Sequence, residues 1–71
     1  MSKRRLTKAE REMIPVLTEN GYHFNRMGGR ESHAIYKHEV TNDEVVIPIK
    51  LRKMTRLRVT RQVKAVGARF N

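Results

Sequence analysis

Apolar side chains in the first third of the chain recur at the spacing of an amphipathic helix. The positions that follow this period are Leu6, Ala9, Met13, Ile14 and Leu17. Thr7-Lys-Ala-Glu10 has the spacing of a capping box, and Asn20-Gly21 is a typical helix stop. The pattern therefore predicts a first helix over this segment. Because Pro15 lies inside it, we expect either a kink near residues 11–14 or two shorter helical pieces.

After Gly21 the alternation of apolar and polar residues shortens to a period of two, which is typical of strands. Residues 22–25 show this pattern, and residues 33–38 and 45–49 are the second and third strand candidates. Met27-Gly-Gly29 predicts a turn after the first strand, and Asn42-Asp43 predicts one before the third. Pro48 has no amide hydrogen to donate, so we expect the third strand at an edge of an antiparallel meander.

The C-terminal third predicts a second helix. Val59, Val63 and Val66 recur at helical spacing. Thr55 can cap the start of this helix, and Gly67 can end it. The predicted fold is α+β in the order α-β-β-β-α, with both helices on one face of a three-stranded antiparallel sheet. We expect a single domain over residues 7–67, a flexible basic arm over 1–6 and a tail over 68–71. The predicted core residues are Leu17, Phe24, Ile47, Ile49, Val59, Val63 and Val66.

Charge is distributed unevenly along this order. The chain has 16 Lys and Arg against 7 Asp and Glu, a net charge of +9. Residues 1–44 contain all the acidic side chains and half of the basic ones, whereas the charged side chains of residues 45–71 are all basic. A solvated surface usually mixes both signs, so this segment predicts a polyanionic partner.

The absence of cysteine and of long apolar runs indicates where the protein acts. Without cysteine the chain has no disulfide and no thiolate metal ligand. The basic start, Met1 to Leu6, is not followed by the apolar stretch of a signal peptide or membrane span. We expect a cytoplasmic protein with no membrane partner. His33 and His38 should face opposite sides of one strand, and we expect neither a metal nor another cofactor.

Several segments, taken in their order, resemble the HicA (YcfA-like) family of toxins. They are Met13–Tyr22 with its Asn-Gly-aromatic end, Ser32–His38 with Ser-His before Ile-Tyr, Val45–Ile49 with its Val-Ile-Pro-Ile pattern, and the basic helix that ends in Val63–Gly67. The resemblance covers roughly residues 7–67. HicA toxins are similar in fold to double-stranded-RNA-binding domains, with two helices against a three-stranded sheet. The resemblance thus implies the same order of elements.

The resemblance further implies an endoribonuclease that cleaves mRNA and is restrained by an antitoxin of the HicB type. His33 would be the catalytic histidine, and Ser32 would orient its imidazole or bind a phosphate oxygen. Histidine titrates near neutral pH, so it can take a proton from a ribose 2′-OH or give one to the leaving 5′-oxygen. The cations expected to bind RNA are Arg26, Arg30, Lys37, Lys50, Arg52, Lys53, Arg56, Arg58, Arg61 and Lys64.

A noncatalytic module on the same scaffold is the alternative. It would bind RNA or DNA through backbone phosphates, or bind and inhibit a protein. The family's motif places Gly directly before Ser-His, whereas this chain has Glu31, whose carboxylate repels phosphate. Toxicity on expression, with loss of transcript, would distinguish the enzyme from the binding module.

Overall fold

The computed structural model describes residues 5–29 and 33–70. Its elements are helix α1 (Lys8–Glu19), strand β1 (Tyr22–Gly28), strand β2 (His33–His38), strand β3 (Glu44–Pro48) and helix α2 (Lys53–Phe70). The strands form one antiparallel sheet in the order β1-β2-β3. The predicted α+β fold is therefore confirmed, and β3, which contains Pro48, is an edge strand as expected.

Helix α1 begins at the predicted capping box. The Thr7 hydroxyl accepts a hydrogen bond from the Glu10 amide at 3.1 Å, and the Glu10 carboxylate accepts one from the Thr7 amide at 3.3 Å. The helix is a single element through Pro15, so the expectation of two helical pieces is wrong. Pro15 cannot donate to the Arg11 carbonyl, but both residues are exposed, and water can satisfy that carbonyl.

The two faces of the sheet differ in what covers them. The core face carries Tyr22, Phe24, Met27, Ala34, Tyr36, His38, Val45 and Ile47. Met13 and Leu17 of α1 and Val59 and Val63 of α2 belong to the same buried cluster, so both helices lie on this face. We call the opposite side the open face; it carries His23, Arg26, Gly28, His33, Ile35, Lys37, Glu44, Val46 and Pro48.

Two predicted core residues lie outside the core. Phe24 of β1 is 41% exposed, and Ile49 is 56% exposed because it follows the end of β3. Of the other predicted core residues, Leu17, Ile47, Val59 and Val63 are buried and Val66 is partly buried.

Helix α2 differs from its prediction at both ends. It begins at Lys53, with the Arg56 amide bonded to the Arg52 carbonyl, so Thr55 lies inside the helix and is not its cap. Gly67 does not end the helix, which continues to Phe70 and includes most of the segment predicted as a tail. Gly67 is buried against the Asn20 side chain, and this close approach of α2 to the end of α1 explains the glycine. Neither helix is long and apolar enough, over the residues described, to cross a membrane.

A bulge in β1 decides which side chains reach the open face. Phe24 pairs with Tyr36 and Arg26 pairs with Ile35, so Asn25 is an extra residue without a partner across the strand. Regular alternation would place Arg26 on the core face with Tyr22 and Phe24. The extra residue turns Arg26 onto the open face and Met27 onto the core face.

Candidate functional site

His33 is the first residue of β2 and lies half-buried on the open face. Its cross-strand neighbours are Gly28 on β1 and Pro48 on β3, neither of which carries a charged side chain. A Cβ atom at Gly28 would lie 2.8 Å from Cδ1 of Ile35, so a larger residue here would require the end of the Ile35 side chain to move. The imidazole therefore lies in a row of short side chains. The other predicted residues at this point, Ser32 and Arg30, lie outside the described residues, as does Glu31.

The register brings His33 to the end of the sheet from which α2 starts. His33 pairs with Pro48, and the chain then passes through residues 49–52 to the start of α2 at Lys53. Lys50, Arg52 and Lys53 are all exposed, and the first turn of α2 contains no acidic residue. The partial positive charge of a helix N-terminus adds to these cations. We call His33 together with Lys50, Arg52 and Lys53 the His33 end.

Arg26 also lies on the open face, but its charge is paired. Its Nη1 and Nη2 atoms donate to the Glu44 carboxylate at 3.0 and 3.2 Å, and Nη1 also donates to the Asn25 side chain at 2.7 Å. This hydrogen bonding lowers the pKa of Glu44 and raises that of Arg26, and the charge of Lys37 also lowers the pKa of Glu44. Because Arg26 is on β1 and Glu44 is on β3, the bridge crosses β2. Arg26 thus links the two edge strands of the sheet.

Lys37 is a half-buried cation in the middle strand. It lies between His23 and Glu44 in the register of the open face, on the same face as His33. Its position near Glu44 offsets part of its charge. Of the three predicted RNA-binding cations nearest His33 in the sequence, Arg26 is therefore paired with Glu44, the charge of Lys37 is partly offset by Glu44, and Arg30 lies outside the described residues.

The remaining predicted cations lie away from His33. They are Arg56, Arg58, Arg61 and Lys64. All are exposed on α2, and α2 packs against the core face, whereas His33 is on the open face. Arg56 is 3.9 Å from the Glu12 carboxylate of α1, a long and exposed ion pair. The structure thus divides the predicted basic surface into the His33 end and a second region along α2.

One buried polar pair was missed by sequence reasoning. The Tyr36 hydroxyl donates to the Glu10 carboxylate at 3.0 Å, and Glu10 is fully buried although it also caps α1. Glu10 precedes Met13 by three residues and Leu17 by seven, so helical periodicity already places its side chain on the apolar face. Its carboxylate links α1 to β2, and we assign it a structural role.

The other two histidines have structural contacts. His38 is buried, and its Nδ1 atom accepts hydrogen bonds from the amides of Val40 and Thr41 at 3.1 and 3.2 Å. His23 contacts Glu39 at 3.1 Å on the surface. His33 and His38 do face opposite sides of β2, as expected. Over residues 5–29 and 33–70 no cluster of three His, Asp or Glu side chains could hold a metal ion.

Comparison of the chain with protein families, with curated proteins and with solved structures finds no match.

Proposed function

We propose that this chain binds RNA at the His33 end and cleaves it there, as a toxin of the HicA type that is restrained by a HicB-type antitoxin. The observation that supports this is that half-buried His33 pairs with Pro48 at the end of β3 from which the chain leads into α2, where the charged side chains are all basic and exposed. A group that titrates near neutral pH and a set of cations are what ribose-assisted phosphodiester cleavage requires.

The chemistry assigns one role to the imidazole. Neutral His33 takes the proton from a ribose 2′-OH, and the 2′-oxygen attacks the adjacent phosphorus atom. The bond from phosphorus to the 5′-oxygen breaks, and that oxygen leaves with a proton supplied by water or by the protonated imidazole. The products are a 2′,3′-cyclic phosphate and a 5′-hydroxyl.

The cations of the His33 end have the second role. Lys50, Arg52 and Lys53 are exposed, and acidic side chains are absent from residues 45–71. Contacts of this kind hold the phosphate backbone whatever the base sequence, and they stabilise the extra negative charge that develops on the attacked phosphate.

A noncatalytic RNA- or DNA-binding module is the second candidate, and one observation favours it. Four of the predicted cations lie on α2, which packs against the core face and not the open face that carries His33: Arg56, Arg58, Arg61 and Lys64. Arg26, which is on the open face, forms an ion pair with Glu44. Cations spread along a helix suit a duplex that is recognised by its shape and its phosphates. Such a protein would bind RNA and leave it intact.

The test is incubation of purified protein with an end-labelled transcript, followed by mapping of the new ends. We expect 2′,3′-cyclic phosphates, and we expect His33→Ala to slow cleavage by about 100- to 10,000-fold with RNA affinity nearly unchanged. His23→Ala is the matched control, because His23 is another histidine of the open face.

Each outcome separates the candidates. Equal losses in the two variants, or near-wild-type cleavage by His33→Ala, would remove His33 from the mechanism. Wild-type protein that binds the transcript and never cuts it, and that does not inhibit growth on expression, would favour the noncatalytic module.

A further inference from the structure

A groove between α1 and α2 is lined by residues of these two helices alone. Its volume is about 540 Å³. Val16 of α1 and Leu57 of α2 supply apolar surface to it, and Met13 lines it as a buried core residue. Leu57 is 49% exposed, although it lines the groove. Large apolar side chains that remain exposed beside a concavity mark a surface for binding another molecule.

The apolar strip continues past the groove along α2. Met54 is 75% exposed, the highest exposure among the large apolar residues of the described ranges. Met54 and Leu57 line a second hollow of about 370 Å³ together with Arg58. The two hollows share Leu57 and Arg61, so they form one surface. We call this surface, from Met13 and Val16 across Leu57 to Met54, the helix groove.

Basic side chains border the helix groove. Arg56, Arg61 and Lys64 line it, and Glu12 is the acidic residue among the lining side chains. Glu12 is 3.9 Å from Arg56, which leaves the charges of Arg61 and Lys64 without an acidic neighbour in the lining. An occupant of this groove must therefore cover apolar carbon and also present negative charge.

Three kinds of occupant can be compared on these two requirements. RNA would satisfy Arg61 and Lys64 with phosphates, but its backbone offers nothing to bury Met54 and Leu57. A second copy of the chain carries a net charge of +9, and its own α2 has no acidic residue to offer. An amphipathic helix with an apolar stripe and acidic flanks meets both requirements.

We propose that the helix groove binds an acidic amphipathic helix of a partner protein. The partner helix would lie along α1 and α2 and would present apolar residues at positions i, i+3 or i+4, and i+7. Since the lining residues of α2 run from Met54 to Ala65, a length of about 18 Å, the groove accommodates about three turns of such a helix. This proposal does not depend on RNA cleavage, because the groove contains none of the residues of the His33 end.

The probe is a synthetic peptide of four helical turns, with leucines at the i, i+4 and i+7 positions and glutamates on the flanks. A peptide of the same composition in scrambled order is the control. Fluorescence anisotropy measures affinity, and amide chemical shifts locate the site. We expect the patterned peptide to bind at least about tenfold more tightly than the scrambled one, and to shift the amides of Val16, Leu57 and Thr60.

The variants distinguish binding of the peptide in the groove from nonspecific electrostatic attraction between the peptide and the protein. Leu57→Glu should weaken the patterned peptide at least about tenfold. Val46→Glu, at a residue of the open face with similar exposure, should change affinity less than about twofold. Replacing Arg61 and Lys64 together by Gln should weaken binding and reduce its dependence on salt. Amide spectra of the free variants show whether each one is folded.

Several results would overturn the proposal. Equal affinity for the two peptides would show that charge alone binds them. Unchanged affinity in Leu57→Glu would place the site elsewhere. A short RNA duplex that shifts the Val16, Leu57 and Thr60 amides when the patterned peptide does not would make the groove part of a nucleic-acid surface. If Leu57→Glu fails to fold, the shift map on the wild-type protein decides in the same way.

Discussion

Two tyrosines are buried in the core, and their hydroxyl groups are in opposite situations. The Tyr36 hydroxyl donates to the buried Glu10 carboxylate at 3.0 Å. The Tyr22 hydroxyl is buried next to the His38 ring and has no hydrogen-bond partner among the described residues. A buried group that loses its partner costs free energy, whereas removal of a buried group that never had one does not.

We therefore expect Tyr36→Phe and Tyr22→Phe to differ in stability. Tyr36→Phe removes a donor from a buried carboxylate and should lower the free energy of unfolding by roughly 1–3 kcal/mol. Tyr22→Phe should change it by less than about 0.5 kcal/mol, or raise it. Urea denaturation at pH 7 measures both, and a larger loss in Tyr22→Phe would mean that its hydroxyl has a partner.

The pKa of Tyr22 supplies a second readout of the same comparison. Burial, and secondarily the charge of Asp43, raise its pKa above the ordinary value of 10.0. The unfolded chain therefore releases this proton first as the pH rises. The contribution of the raised Tyr22 pKa to the free energy of unfolding is fully present below pH 10 and is lost as the pH rises above it. Tyr22→Phe should therefore make the decline of the free energy of unfolding with pH shallower.

At the scale of elements, one close approach joins the ends of the two helices. Asn20 follows α1 and donates from its side-chain amide to the Val16 carbonyl at 2.8 Å. Gly67 of α2 packs directly against this side chain, and a Cβ atom there would lie 2.6 Å from Cβ of Asn20. That distance leaves no room for a methyl group unless one helix moves.

We expect Gly67→Ala to destabilise the protein although Ala favours helices. Helix propensity would contribute about 1 kcal/mol in favour of Ala. Overpacking costs about 1–3 kcal/mol and also disturbs the Asn20 hydrogen bond, so it should outweigh that gain. Thermal unfolding measures the difference. Ala65→Gly on the exposed side of α2 reports propensity alone, and a stabilised Gly67→Ala would mean that the helices do not approach this closely.

At the scale of the whole molecule, the topology distributes the basic side chains over two surfaces. The His33 end contains Lys50, Arg52 and Lys53, and the helix groove is lined by Arg56, Arg61 and Lys64. Both surfaces belong to a chain of net charge +9, so long-range attraction of RNA is common to them. We expect the cations of the His33 end to contact RNA phosphates directly, and those of the helix groove to contribute mainly to long-range attraction.

The salt dependence of RNA binding tests this division. Replacing Lys50, Arg52 and Lys53 by Gln should lower the slope of log affinity against log salt by about 0.7–0.9 for each phosphate that the variant no longer neutralises. Replacing Arg58, Arg61 and Lys64 removes the same total charge and should lower the slope less. Equal reductions would show that RNA covers the length of α2 and is not confined to the His33 end.

Much of the fold followed from local signals. The capping box at Thr7, the Asn20-Gly21 stop and the change of period from helix to strand act within a few residues, so they predict element order without knowledge of the rest of the chain. Errors arose where a distant element intervenes. Gly67 is a typical helix stop in isolation, but in the structure it is the residue that lets α2 approach Asn20.

The sequence by itself determined the α-β-β-β-α order, the edge position of the strand with Pro48 and the concentration of unopposed positive charge after residue 44, because these depend on local periodicity, backbone chemistry and composition. Only the tertiary structure decided what that charge can act on. The extra residue in β1 turns Arg26 onto the open face and into its pairing with Glu44, and the register with Pro48 brings His33 to the end of the sheet that leads into α2. Register and face are set by cross-strand contacts between residues far apart in the chain, and no local pattern encodes them.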